Sequence, residues 1–173
     1  MAAQMVLLAP AQTVGSGGSS SVTFSSIPQT YTDLYILCSA RTNRTAYNTD
    51  RITAKINTVT TNMSYQEVQG GASFGTNAAL DTTAFVVGHA TTDANSNPVN
   101  IFSSSSCYIS GYTTANYKIG LMESALMNTS TDGFMYITRS TWVNSAAITT
   151  LELVTTNPWY QYSKFYLYGI KNS

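Results

Sequence analysis

The stretch Ser21–Arg41, SVTFSSIPQTYTDLYILCSAR, carries the pattern on which the fold turns. It holds two strand-like runs, Val22-Thr23-Phe24 and Leu34 to Ala40, separated by a polar segment that contains Pro28. In the second run Leu34, Ile36, Cys38 and Ala40 alternate with Tyr35, Leu37, Ser39 and Arg41. A period of two places successive side chains on opposite faces of a strand, here with one face on a core. Proline cannot donate to a ladder, so Val22 to Ile27 is expected to be an edge or switching strand rather than a central one.

The same grammar repeats down the chain. Strand candidates follow at Arg51 to Ile56, Met63 to Val68, Thr83 to Val87, Ile101 to Tyr112, Tyr117 to Leu121, Phe134 to Val143, Ala147 to Val154 and Phe165 to Ile170. Phe134 to Val143 is apolar on both faces, which places it centrally, covered on both sides or by a second subunit. The segment Leu121 to Met127, LMESALM, is the one place that could hold a turn or two of helix. Eight to ten short antiparallel strands in a chain of 173 residues predict a single all-β sandwich, jelly-roll-like, in which the opening strands share a sheet with the closing FYLYGI.

Residues 1–20 read differently from the domain at 21–173. Met5, Val6, Leu7 and Leu8 form a short apolar run, followed by the Gly/Ser segment 15–20, whose composition is that of a flexible connector. Two courses are open to this N-terminal arm. It folds as a first edge strand on its own domain or lies disordered, or it reaches a partner surface, which makes Met5, Val6, Leu7 and Leu8 candidate partner-binding residues.

Charged residues make up only 9% of the chain against roughly 25% in ordinary soluble domains, and eight bases balance eight acids. No basic cluster exists to neutralise phosphates, so nucleic acid is not an expected partner. No apolar run approaches the roughly 20 residues of a membrane span, and no Lys or Arg precedes Arg41, so neither a span nor a charged signal-peptide start is expected. A surface with so little charge is poorly protected against association, as though partners cover much of it, a neutral secreted domain being the alternative.

Catalytic and metal constellations are not evident, and neither enzyme activity nor a cofactor is expected. His89 is the single histidine, is expected at the surface or packed under a loop, and lies near no Gly-x-Ser-x-Gly elbow. The eight acids fall in no paired motif. Asp93-Ala94-Asn95-Ser96-Asn97 imitates the start of a calcium loop, but Pro98 and Ser104 occupy the positions that need Gly and Glu. Cys38 and Cys107 lack metal or redox spacing and read as buried thiols, a bridge between them being the alternative. Trp159, Tyr160 and Tyr162 follow Asn157-Pro158 in an expected loop, as a cap on the core, interface anchors or a sugar platform.

Two segments carry a resemblance. Val22 to Leu34 with Ser39-Ala40-Arg41, and Ala146 to Thr149 with Phe165 to Lys171, are similar to the two ends of small jelly-roll-like virion proteins of tailed phages. The resemblance implies a virion structural protein and transfers no catalytic residue. The expected role is a capsid decoration (cement) protein on the capsid surface, bound to the major capsid protein, with a homotrimer suited to threefold positions of the shell. The alternative is a tail fibre or receptor-binding module that recognises a host surface glycan.

Overall fold

The computed structural model describes residues 4–71, 75–94, 100–127 and 133–172, with backbone alone at 79–82. Every regular element among them is a strand: β1 Gln4–Leu7, β2 Gln12–Thr13, β3 Ser19–Phe24, β4 Asp33–Ser39, β5 Thr49–Ile56, β6 Met63–Gly70, β7 Gly75–Thr82, β8 Phe85–Thr91, β9 Ser104–Ser110, β10 Lys118–Met127, β11 Gly133–Trp142, β12 Leu151–Trp159 and β13 Lys164–Lys171. They form two antiparallel sheets. The long sheet has the order β1-β13-β4-β9-β10-β11-β6-β7, with β2 also on β13, and the short sheet has the order β3-β12-β5-β8.

Eight of these strands make a jelly roll. The quartets β1-β13-β4-β9 and β3-β12-β5-β8 place the first beside the eighth and the second beside the seventh, the nested pairing of two Greek keys. Two hairpins are added to that frame, β6–β7 between β5 and β8, and β10–β11 between β9 and β12. Both join the long sheet beyond β9, which therefore extends past its usual edge.

Of the two courses open to the apolar N-terminal run, the structure shows the edge strand. Met5 pairs with Ile170 and Leu7 with Tyr168, and Leu8 N donates to Leu167 O at 2.9 Å. The Gly/Ser segment turns the chain from the long sheet into β3. Gly18 has φ +71°, and a Cβ there would lie 2.8 Å from Trp159 O, so glycine is required on both counts.

The expected edge position of Val22 to Ile27 holds. β3 borders the short sheet, its ladder with β12 reaches Phe24 opposite Leu151, and Ile27 instead donates to Thr149 O. β4 pairs with β13 as expected, whereas β3 crosses to the other sheet, because the Pro28 segment carries the chain across the sandwich. The helical turn expected at 121–127 is a strand. Met122, Ser124 and Leu126 face inward while Leu121, Glu123 and Ala125 face out, and flanking ladders on both sides override the local helix propensity. Asn157-Pro158-Trp159 closes β12 rather than lying in a loop. The ladder with β3 is irregular between Val154 and Trp159, so Pro158 breaks no regular pairing. Cys38 and Cys107 are both free and buried, and burial pushes the Cys107 thiol up to about 12.

The core between the sheets contains Leu34, Ile36, Ile52, Ile56, Phe85, Ile109, Trp142, Trp159 and Phe165. Strand β8 is buried along its whole length although it ends the short sheet. Serines from the inner face of the long sheet complete its hydrogen bonds. Ser140 Oγ accepts from Val86 N and donates to Val86 O, both at 3.0 Å. His89 N donates to Ser124 Oγ at 3.0 Å, and Ser105 Oγ donates to His89 O at 2.9 Å. Gly88 permits this approach, since a Cβ there would lie 2.9 Å from that of Ser105.

Removing one such hydroxyl strands buried backbone groups of Val86. Ser140→Ala is expected to lower unfolding free energy by about 2 kcal/mol, whereas the exposed Ser104→Ala changes it by less than about 0.5 kcal/mol, as read by urea denaturation.

Candidate functional site

Alternation that points one set of side chains into the sandwich points the other set out, and on the long sheet the outer set is largely apolar. Register defines its rows. Leu7, Tyr168, Tyr35, Tyr108 and Leu121 lie side by side on β1, β13, β4, β9 and β10. The next row runs Tyr166, Leu37, Ser106, Glu123, Ile137 and Val68. Met5, Ile119, Leu121, Met135, Ile137 and Val68 are each between 43% and 53% exposed. β11 is central as expected, but among the described residues only its inner face is covered. A shallow cleft of about 440 Å³ indents this surface, walled by Tyr35, Leu37, Met135 and Ile137, with Ser104, Ser106 and Glu123 also lining it.

Charge is nearly absent from this face. On β4, β9, β10, β11 and β6 the exposed charged residues are Glu123 and Arg139; Asp33, which opens β4 on the same side as Tyr35, is buried and accepts from Gly111 N and Asn172 Nδ2. Among the described residues neither forms an ion pair. Leu121 pairs with Arg139 and Glu123 with Ile137, so the two charges sit on one diagonal and the two aliphatics on the other.

The residues singled out for partner binding divide between three environments. Met5 and Leu7 project from the rim of the apolar face, while Val6 and Leu8 are half-buried and Leu8 packs against the core. Trp159 is 1% exposed, edge-on to Phe165 with ring centroids 4.7 Å apart. It caps the core and cannot serve as a platform, because inward alternation at the end of β12 turns it into the sandwich. Tyr160 and Tyr162 do reach solvent, at 42% and 65%, on the turn between β12 and β13. Tyr162 has φ +72°, and Tyr160 stands 6.0 Å from the Arg41 guanidinium.

A polar cluster inside the sandwich escaped the sequence reading. His89 is 3% exposed, not at the surface. Its Nε2 lies 2.8 Å from Glu67 Oε2, and its ring stacks on Tyr136 with centroids 3.7 Å apart. Thr138 Oγ1 donates to the same carboxylate oxygen at 3.1 Å, and Arg51 donates to Oε1 at 3.1 Å from beneath the ring of Tyr65. Burial raises the Glu67 carboxyl, but the hydrogen bond from His89 and the Arg51 guanidinium outweigh it and hold the pKa down at about 2. Burial holds His89 below the ordinary histidine value against the pull of Glu67. The imidazole is therefore neutral at pH 7, with Nε2–H donating to Glu67. The Nε2 bond ties β8 of the short sheet to β6 of the long one, while Nδ1 is enclosed and has no hydrogen-bond partner among the described residues. The unbroken apolar run before Gly88-His89 is the signal that marks a doubly covered strand, and inward alternation of Met63, Tyr65 and Glu67 marks the carboxylate.

Other acids are committed locally. Asp50 is fully buried against Arg44 at 3.0 Å and caps Asn157 N, and Asp93 binds Arg41 at 2.9 Å. The remainder of the segment that imitates a calcium loop, Asn95 to Asn97, lies outside the described residues. Among the described residues no three His, Cys, Asp or Glu side chains group to hold a metal.

Acid weakens this cluster from two directions. Glu67, depressed from 4.5, contributes stability that is complete above that pH and lost as pH falls toward 2. His89, depressed from 6.5, leaves the unfolded chain binding more protons below that pH, which also favours unfolding. The melting temperature is expected to fall steadily from pH 6.5 to pH 3. Glu67→Gln should cost on the order of 3 kcal/mol at pH 7 and flatten the fall below pH 4.5, as followed by calorimetry.

No protein-family model matches this chain, and neither a curated protein nor a solved structure matches it.

Proposed function

We propose that this chain is a non-enzymatic virion structural protein, a capsid decoration protein that binds the outer shell built by the major capsid protein and stabilises it. The observation that carries the reading is the apolar outer face of the long sheet. A domain that works alone carries charge on such a face, and patches of this breadth belong to surfaces that are buried against protein. The segments that resemble phage virion proteins also adjoin in space: β4 pairs with β13, and Ile27 and Gln29 bond the backbone of Thr149 and Ile148. Cement function needs added interface across joints between capsomers, and a neutral Ser/Thr/Tyr surface provides it without long-range repulsion. The exposed Tyr160 and Tyr162 turn is the proposed contact with the shell, since tyrosines supply large rigid contact area at the sandwich end.

A second reading has one observation in its favour. Tyr168, Tyr35 and Tyr108 stand side by side across three strands, beside a cleft with serines and one carboxylate in its lining. Stacked aromatics with adjacent hydroxyls suit a sugar ring, as in a tail-associated module that recognises host surface glycan.

Copy number and occupancy on purified particles separate these readings. Decoration predicts hundreds of copies, and the Tyr160→Ala/Tyr162→Ala chain is expected to remain folded and lose attachment about tenfold or more. A handful of copies per particle, together with specific binding on a glycan array, would replace decoration by the tail reading.

A further inference from the structure

The outer face of the long sheet is self-complementary. Consider a two-fold axis lying in the plane of that face along the diagonal from Leu121 to Ile137. Such an axis stacks Leu121 on its own copy and Ile137 on its own copy, and it exchanges the ends of the other diagonal. Glu123 of one protomer then meets Arg139 of its partner, twice over. The neighbours follow the same rule. Tyr108, one strand beyond Leu121 on β9, falls opposite Ile119, two residues before Leu121 on β10. Val68, one strand beyond Ile137 on β6, falls opposite Met135, two residues before Ile137 on β11. Apolar meets apolar, and the two outward charges of the central strands meet their opposites.

We propose that this face binds a second copy of this chain in an isologous dimer, with the two sheets crossing steeply. Steep crossing is one of the two ordinary ways in which sheets stack, and an isologous contact requires this reciprocity of each residue pair. Two such faces crossing steeply overlap over about four strands at ~4.8 Å spacing and about 20 Å of length, a planar patch of roughly 400 Å² per partner, which places the contact at the small end of specific interfaces, below the roughly 800 Å² of accessible surface per partner of standard ones. Glu123 and Arg139, which form no ion pair in the single chain among the described residues, gain partners only in the pair. The proposal rests on reading the face as an assembly surface. It leaves the Tyr160 and Tyr162 turn free for the shell, so dimerisation and shell attachment fail or succeed separately.

The test is the mass of the full chain by light scattering or sedimentation, with circular dichroism as the check on folding. A dimer is expected for the parent chain. Glu123→Arg and Arg139→Glu, both at exposed positions, should each weaken the dimer at least tenfold, and the double exchange should restore it. Leu121→Cys, on the axis, should be joined to its own copy by a short bis-maleimide, a reach suited to sheets that stack about 10 Å apart. Tyr47→Cys, exposed on the connection between β4 and β5 and away from this face, should not, and Cys38 and Cys107 are buried away from the reaction. A monomer in solution, or the homotrimer expected from the resemblance in place of this dimer, overturns the proposal, as does a double exchange no better than the single ones. A monomer whose face is protected only by oligosaccharide or only on the particle assigns the surface to that occupant instead.

Discussion

Strand β8 lies at the open edge of the short sheet, yet all seven of its residues are buried, so its outward amides and carbonyls need partners that no strand supplies. Ser105, Ser124 and Ser140 supply them from the inner face of the long sheet. A buried unpaired amide or carbonyl costs about as much as a core cavity, so these hydroxyls are a condition of the fold. They also fix the distance between the layers. Short side chains must meet backbone directly, and Gly88 removes the one Cβ that would hold Ser105 away. The Glu67–His89 pair adds a second tie at the same strand, with Tyr136 stacked on the imidazole.

This arrangement explains why the long sheet grows on one side. The inserted hairpins β6–β7 and β10–β11 bring the surface that seals β8, with Ser124 on β10, Ser140 and Thr138 on β11 and Glu67 on β6. Without those strands, β8 would be an exposed edge open to pairing with another chain. The cost is a long sheet whose outer face has no layer of its own. Burial on one side is thereby coupled to exposure on the other, and the apolar choice of outer residues at Leu121, Met135 and Ile137 is a separate decision that the inner face does not require.

The all-β class and most strands were legible because alternation survives in each of them, as in β4, where Leu34, Ile36 and Cys38 face in. Three features were hidden for physical reasons. Serines in the core look like surface serines, since a hydroxyl is polar in either place and only the neighbouring backbone shows that Ser105 and Ser140 are buried. Leu121 to Met127 has good helix formers, and only its partners on β9 and β11 make it a strand. The proline before Trp159 resembled the start of a loop, whereas it falls where the ladder of β12 is already irregular. Of the candidate partner-binding residues, Tyr160, Tyr162, Met5 and Leu7 are exposed, and Trp159 went to the core because a single residue shift in alternation decides its face.

The low charge of the chain becomes intelligible in three dimensions. Arg41, Arg44, Arg51 and Lys55 are each committed to a carboxylate, and Lys118 is fully buried with its amine donating to the carbonyl of Thr114. Five of the eight bases thus serve internal contacts, leaving Arg139, Lys164 and Lys171 for the surface. A protein that spends its charges inside has little left to keep copies apart, and the one acid and one base on the central outer face lie within reach of each other's partners on a second molecule rather than of a bulk repulsive field. Scarce charge, an uncovered long sheet and a sealed β8 edge are therefore one design. Pairing through the backbone edge of β8 is suppressed, and association is directed to a side-chain surface whose few charges define its orientation.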